Sequence, residues 1–221
     1  MKWIEPGQNL GKPDVVIIPG SKQTIKDLEV LNKTGMSTQI SNYAKNGGNV
    51  FGICGGLQML GKSLEDPYKL ESINDLSSFT YKGMNLLPIK TTFGEIKNNS
   101  QREEIVSWPE ENSVKGFEMH YGKSDLIDKN NLDIISLFNN SSLGWVFEKK
   151  DKSFIGGTYL HGIFENDQWR LQWINQIRQK KGLRNLNPNK ENNNDKRERL
   201  LDLLADLFEK NINIEKVISA I

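Results

Sequence analysis

Cys54 is the only cysteine in 221 residues, and it stands between glycines in Gly52-Ile53-Cys54-Gly55-Gly56. The apolar run Val50-Phe51-Gly52-Ile53 leads into it as a short strand, and Leu57-Gln58-Met59-Leu60 leads away as the start of a helix. A strand that turns sharply into a helix through glycines lifts the middle residue into an exposed, strained position. The positive end of the following helix lowers a thiol's pKa, so the chemistry on offer is attack by a thiolate. A buried structural cysteine is the alternative, and glycines on both sides speak against it. Such a nucleophile needs a base, and the chain holds two histidines, His120 and His161. His161 closes the apolar strand Gly157-Thr158-Tyr159-Leu160, so its ring emerges at a strand's carboxyl end, where open α/β sheets place their sites. A purely structural hydrogen-bonding role is its bland alternative. The third requirement is a pair of backbone amides for a developing oxyanion, which Gly55 and the Gly20-Ser21 turn can offer.

The elements that would position these groups follow from hydrophobic patterning. Val15-Val16-Ile17-Ile18 is a continuous β-branched run that stops at Pro19-Gly20, which predicts a buried strand of a parallel sheet. Thr24 with Asp27 three residues on predicts a capped helix through Ile25, Leu28 and Leu31. Ile40, Tyr43 and Ala44 predict a second helix, ended by Asn46-Gly47-Gly48. Strand, helix, strand, elbow and helix make an α/β signature. Residues 65–111 are irregular, with stretches such as Met84-Asn85-Leu86-Leu87 suited to the strands and loops of a peripheral sheet. Gly116-Phe117-Glu118-Met119-His120-Tyr121-Gly122 alternates, which places Glu118 and His120 on one face of a strand. Gly144-Trp145-Val146-Phe147 predicts another strand, and Trp169, Leu171, Trp173, Ile174 and Ile177 a further helix. Residues 185–197 read as a polar connector, and 198–221 as an amphipathic helix that packs on the domain of residues 1–184 or on a partner.

Composition narrows the function classes. Twenty-nine basic residues balance 28 acidic ones, which leaves no footprint for nucleic acid or a charged membrane surface. One cysteine makes no internal disulfide, no apolar run approaches a membrane span, and Met1-Lys2-Trp3-Ile4-Glu5-Pro6-Gly7 is not a signal peptide; a cytoplasmic protein is expected. One cysteine and two distant histidines lack the spacing of a zinc site, and no Gly-x-x-x-x-Gly-Lys-Ser/Thr loop is present for a nucleotide phosphate.

Four ordered segments then resemble the class I glutamine amidotransferase domain, in the branch of cobyric acid synthase and cobyrinic acid diamide synthase. Val16 through Leu28 is similar to that family's oxyanion strand and loop, and Gly52 through Gly61 to its nucleophile elbow. Gly116 through Gly122 resembles its middle motif, and Gly157-Thr158-Tyr159-Leu160-His161-Gly162-Ile163-Phe164 its histidine motif. The Pro19-Gly20-Ser21-Lys22 loop favours the cobyric acid synthase side. The resemblance implies a three-layer, flavodoxin-like α/β fold, with a mostly parallel central sheet and helices on both faces. It implies that Cys54 attacks the side-chain amide of glutamine with help from His161. Gly20, Ser21, Gly55 and Gln58 would line the oxyanion and substrate site. Ammonia would pass to an ATP- and Mg2+-dependent synthetase that amidates carboxylates of adenosylcobyrinic a,c-diamide, a corrinoid held by that partner. No cofactor is expected in this chain itself.

Two departures qualify the resemblance. Most class I enzymes carry a Glu two residues after the catalytic His, where this chain has Ile163; Glu165 is the nearest carboxylate downstream. The synthetase domain and the strand expected before Met1-Lys2-Trp3 are absent, so a fragment or truncated product that is poorly soluble alone is expected. Glu118 and His120 either lie at the partner interface and couple it to the site, or satisfy each other and nearby backbone. Rival readings are a catalytically weak binding or regulatory module, a glutaminase subunit acting on a cell-wall precursor, and a cysteine hydrolase of peptides or esters.

Overall fold

The computed structural model describes residues 1–71, 79–127, 134–139, 142–188 and 192–212. The chain divides into two compact units, Met1–Asn185 and Leu186–Ile221. In the first, β1 (Val15–Ile18) leads through the Pro19-Gly20-Ser21 loop into α1 (Thr24–Lys33) and α2 (Met36–Lys45), then β2 (Asn49–Ile53) and α3 (Gly55–Leu60). Two short strands follow, β3 (Ser63–Glu65) and β4 (Thr80–Lys82), then a long hairpin of β5 (Ile89–Val106) and β6 (Asn112–Leu126). After β7 (Ile134–Ser136), β8 (Gly144–Glu148), β9 (Phe154–Thr158) and β10 (Leu160–His161), α4 (Asp167–Lys180) ends the unit. The second unit contains α5 (Asn193–Asn211), whose side chains Leu200, Leu203, Leu204 and Leu207 are exposed. Residues 213–221 of the expected terminal helix, and 189–191 of the expected connector, lie outside the described residues.

The first sheet has the order β1-β2-β9-β8-β7. Its first three strands are parallel, with Val50 opposite Ile155 and Gly52 opposite Gly157, while β8 and β7 add antiparallel strands. Neighbouring residues of a strand face opposite sides. Phe51 faces α4, where it packs on Trp169 and Trp173 with ring centroids 5.9 and 6.1 Å apart. Gly52 and Gly157 face α3: a Cβ on Gly52 would lie 2.5 Å from the Gly56 backbone, and one on Gly157 3.0 Å from Leu57 Cδ1. Helices therefore cover both faces, as the three-layer expectation requires, but parallel pairing within this sheet is confined to β1, β2 and β9.

The second sheet, β10-β6-β5-β3-β4, is antiparallel except where β3 meets β5. Along β6 the residues Val114, Glu118, His120, Gly122 and Ser124 point inward and their neighbours outward, the period-2 pattern of a sheet with one covered face. Residues 95–104 of β5 are almost all exposed, so that stretch is held by its pairing to β6 across the bulge between Phe93 and Asn98.

Several expectations change in detail. β1 is an edge strand of its sheet, and Ile17 faces solvent, so its burial alternates instead of being continuous. Thr24 does not cap α1: Gln23 holds the cap position without a side-chain bond, and the Thr24 hydroxyl donates instead to Gln58 Oε1 at 3.2 Å. Ser21 organises that turn, accepting from the Gln23 amide at 2.9 Å and donating to Asp27 Oδ2 at 2.5 Å. Met84 to Leu87 is loop, tied to the end of α3 by the Met84 amide to Met59 O and the Leu86 and Leu87 amides to Leu60 O. The expected strand 157–160 is split. The chain leaves the parallel sheet at Thr158, and Leu160–His161 pairs with Phe117–Glu118 of the second sheet. Among the described residues no helix is long and apolar enough to cross a membrane.

Candidate active site

Cys54 occupies the sharp turn between β2 and α3, with φ 50° and ψ −109°. This is positive-φ backbone that a non-glycine residue adopts only when its surroundings enforce it. The Cys54 amide donates to Thr158 O at 2.8 Å, and the Gln58 amide closes the first helical turn onto Cys54 O at 3.1 Å. Close approach leaves no room for side chains beside it. A Cβ on Gly56 would lie 2.2 Å from the Ile18 carbonyl oxygen, so α3 can seat against β1 only with glycine there.

The split of the histidine motif between two sheets brings His161 to the elbow. A Cβ on Gly20 would sit 3.5 Å from His161 Cε1 and 3.7 Å from Cys54 Cβ, so the thiol-bearing carbon, the imidazole and the Gly20 backbone meet around one point. The Gly20-Ser21 loop also touches the residue after the thiol, since a Cβ on Gly55 would come 2.9 Å from the Ser21 amide nitrogen. Cys54 Sγ donates to the Met119 carbonyl at 3.6 Å. The His161 ring stacks on Phe117, with centroids 4.9 Å apart and planes 8° from parallel. Its Nε2 is buried and has no hydrogen-bond partner among the described residues. Glu165, the nearest downstream carboxylate, lies beside Gly162, its carboxyl carbon 3.8 Å from where a Cβ would stand.

Burial sets the electrostatics. Cys54 is buried, and desolvation pushes its pKa up to about 11; the Gly55 amide acts to lower it, and the Glu71 carboxylate adds to the rise. The expectation of a thiol primed by the helix end is therefore corrected: α3 is six residues long, and desolvation outweighs its amides. His161 is shifted below its ordinary value, first by burial and then by the charge of His120, against an opposing contribution from the Met119 carbonyl. Both shifts favour the neutral forms, an imidazole beside a protonated thiol, which suits proton transfer at the moment of attack.

The remaining residues form a buried polar support. Gln58 is engaged at both ends, accepting from Thr24 and donating through Nε2 to Tyr159 Oη at 3.2 Å. Tyr159 in turn meets Ser124 Oγ at 2.6 Å, and Ser124 meets Thr91 Oγ1 at 2.7 Å. Glu118 and His120 do share a face and a bond, Nε2 to Oε1 at 2.7 Å, and Glu118 Oε2 accepts from Arg102. Sequence reasoning missed Tyr159, Ser124, Thr91 and Arg102. Ser124 was accessible through the β6 alternation, on the face of Glu118 and His120, whereas Arg102 gave no signal because its strand has no covered face there.

Comparison with known proteins bears on the family and the fold of the chain. Residues 1–169 match the model of the CobB/CobQ-like glutamine amidotransferase domain. The chain is 77% identical over 218 residues to a cobyric acid synthase of Prochlorococcus marinus strain NATL1A, covering 99% of this chain and 44% of that protein. It is 75% identical to the cobyric acid synthase of strain NATL2A, covering 99% of this chain and 43% of that protein. The chain thus spans less than half the length of these relatives. A crystal structure of a glutamine amidotransferase superposes with a TM-score of 0.56 at 13% identity, covering 80% of this chain and 85% of that one, a likeness of fold.

Proposed function

The chain belongs to the CobB/CobQ-like glutamine amidotransferase family, and from that membership we propose that it releases ammonia from glutamine through Cys54 and His161. The observation that carries this reading is the convergence of Cys54, His161 and the Gly20 backbone around one point. His161 takes the thiol proton as Sγ attacks the side-chain amide carbon. The backbone amides of the Gly20-Ser21 loop and Gly55 face the oxygen as it gains negative charge, where fixed dipoles in a dry site are most effective. Collapse of the adduct breaks the C–N bond, and His161 returns the proton to the departing nitrogen, giving ammonia and a glutamyl thioester. Water, deprotonated by His161, then cleaves the thioester to glutamate and the free thiol.

The ammonia has a proposed destination. The relatives, cobyric acid synthases more than twice this length, support a reading in which an ATP- and Mg2+-dependent synthetase, on the same or another chain, amidates corrinoid carboxylates with it. The setting proposed is the cytosol, where a lone thiol stays reduced. A second reading, a domain that turns over little until its partner docks, is favoured by the buried thiol with its raised pKa and by His161 Nε2, which has no partner among the described residues.

Incubation with an electrophilic glutamine analogue, followed by peptide mass spectrometry, tests the site assignment. Modification confined to Cys54 and blocked by excess glutamine is expected. Labelling that glutamine does not protect against would contradict it.

A further inference from the structure

The covered face of β6 carries a group to which the proposed mechanism gives no task. His120 is buried, and both its ring nitrogens meet acceptors: Nδ1 lies 2.5 Å from the Gly122 carbonyl oxygen and Nε2 2.7 Å from Glu118 Oε1. A carbonyl oxygen cannot donate, so Nδ1 carries a proton. Glu118 accepts two further bonds on Oε2, from Arg102 Nε at 2.8 Å and Nη2 at 2.5 Å, the partner pattern of an ionised carboxylate. An ionised carboxylate only accepts, so Nε2 carries a proton as well. The ring lies on Tyr159 with centroids 3.7 Å apart and planes 21° from parallel. A phenol face welcomes a cation.

We propose that His120 is an imidazolium locked between Glu118 and the Gly122 carbonyl, and that its fixed charge is a positioning element that keeps His161 neutral and ready to accept the Cys54 proton. Arg102, Glu118 and His120 together then carry one net positive charge at the back of the site. The placement fits: Met119, next to His120 in the chain, presents its carbonyl to Cys54 Sγ, and His120 is among the groups that disfavour charge on His161. The groups facing His120 are Glu118 and Arg102 from the hairpin and Tyr159 from the link between β9 and β10. Those around His161 are His120 and Cys54 at the elbow, and Glu165 lies beside the following residue, Gly162. Glu118 and His120 so acquire a role within the glutaminase unit itself.

The purpose of this charge rests on the glutaminase reading, but the charge itself does not. The chain has two histidines, so ring-nitrogen NMR of the full chain gives two patterns, assigned with His161→Asn. At neutral pH His120 is expected to show two protonated nitrogens, and His161 one protonated and one bare. In Glu118→Gln, His120 loses a proton, while the carboxylate and imidazolium charges go together and leave the His161 midpoint near its wild-type value. His120→Gln removes the positive charge alone, so the His161 midpoint moves up by roughly half a unit or more, and with it the acidic limb of glutamate release. A bare nitrogen on wild-type His120 at neutral pH would overturn the proposal, a result that needs no variant to fold. So would an unchanged His161 midpoint in His120→Gln with a wild-type circular dichroism spectrum. Intact NMR patterns without glutamate release would instead count against the glutaminase reading alone.

Discussion

At the residue scale the account turns on a thiol and an imidazole that are both neutral at rest. A Cys54 pKa of about 11 leaves the thiolate fraction at neutral pH roughly a hundredfold below that of an ordinary thiol. Alkylation by iodoacetamide should therefore be slow at neutral pH and climb toward pH 11; a rate already saturated at neutral pH would mean that the pair rests as thiolate and imidazolium. The sign for His161 runs the other way. Burial lowers its pKa, so the base stays available below the ordinary histidine range, and glutamate release should hold its rate into mildly acidic solution. His161→Ala should cost roughly a hundredfold to ten-thousandfold in kcat, measured under saturating glutamine.

At the element scale the elbow is a packing solution before it is a catalytic one. With the Ile18 carbonyl 2.2 Å from where a Gly56 Cβ would stand, Gly56→Ala must push α3 off β1. A loss of about 3 kcal/mol is expected, read as a fall in Tm of roughly 6–12 °C. Gly94→Ala, whose Cβ would meet nothing within 4 Å, is the control and should leave Tm nearly unchanged. On the opposite face Trp169 is fully buried against Phe51, Phe164 and Trp173, and its indole donates to Trp108 O at 3.0 Å. Trp169→Ala should cost about 3–5 kcal/mol in a denaturant melt.

These two elements also show what the sequence could and could not reveal. β2 and α3 were legible because an apolar run, two glycines and a helical period all point the same way. The hairpin of β5 and β6 was legible only in its second strand, where one face is covered and residues alternate. Residues 95–103 of β5 are exposed on both sides, so no period marks them as strand. The break at Tyr159 was hidden as well, because Gly157 to His161 reads as one apolar strand although it serves two sheets. Cys54 and His161 were legible by type and by strand-end position. Their electrostatics were not, since burial is a property of the assembled sheets.

At the scale of the whole molecule, the parallel strands deliver the thiol and the antiparallel sheet delivers what surrounds it: the Met119 carbonyl, the Phe117 ring and the Arg102-Glu118-His120 chain. The site is the seam between those two sheets, both within Met1–Asn185. On the proposed function, supplying the portion of the cobyric acid synthase relatives that this chain does not span should raise glutamate release, an effect read by titrating that portion into the assay with ATP and Mg2+. The central claim meets its most direct test in glutamate release from glutamine by the purified chain and its Cys54→Ala variant. Release by the wild type and a loss of roughly a thousandfold or more in the variant are expected; equal rates from the two proteins would rule out hydrolysis through Cys54.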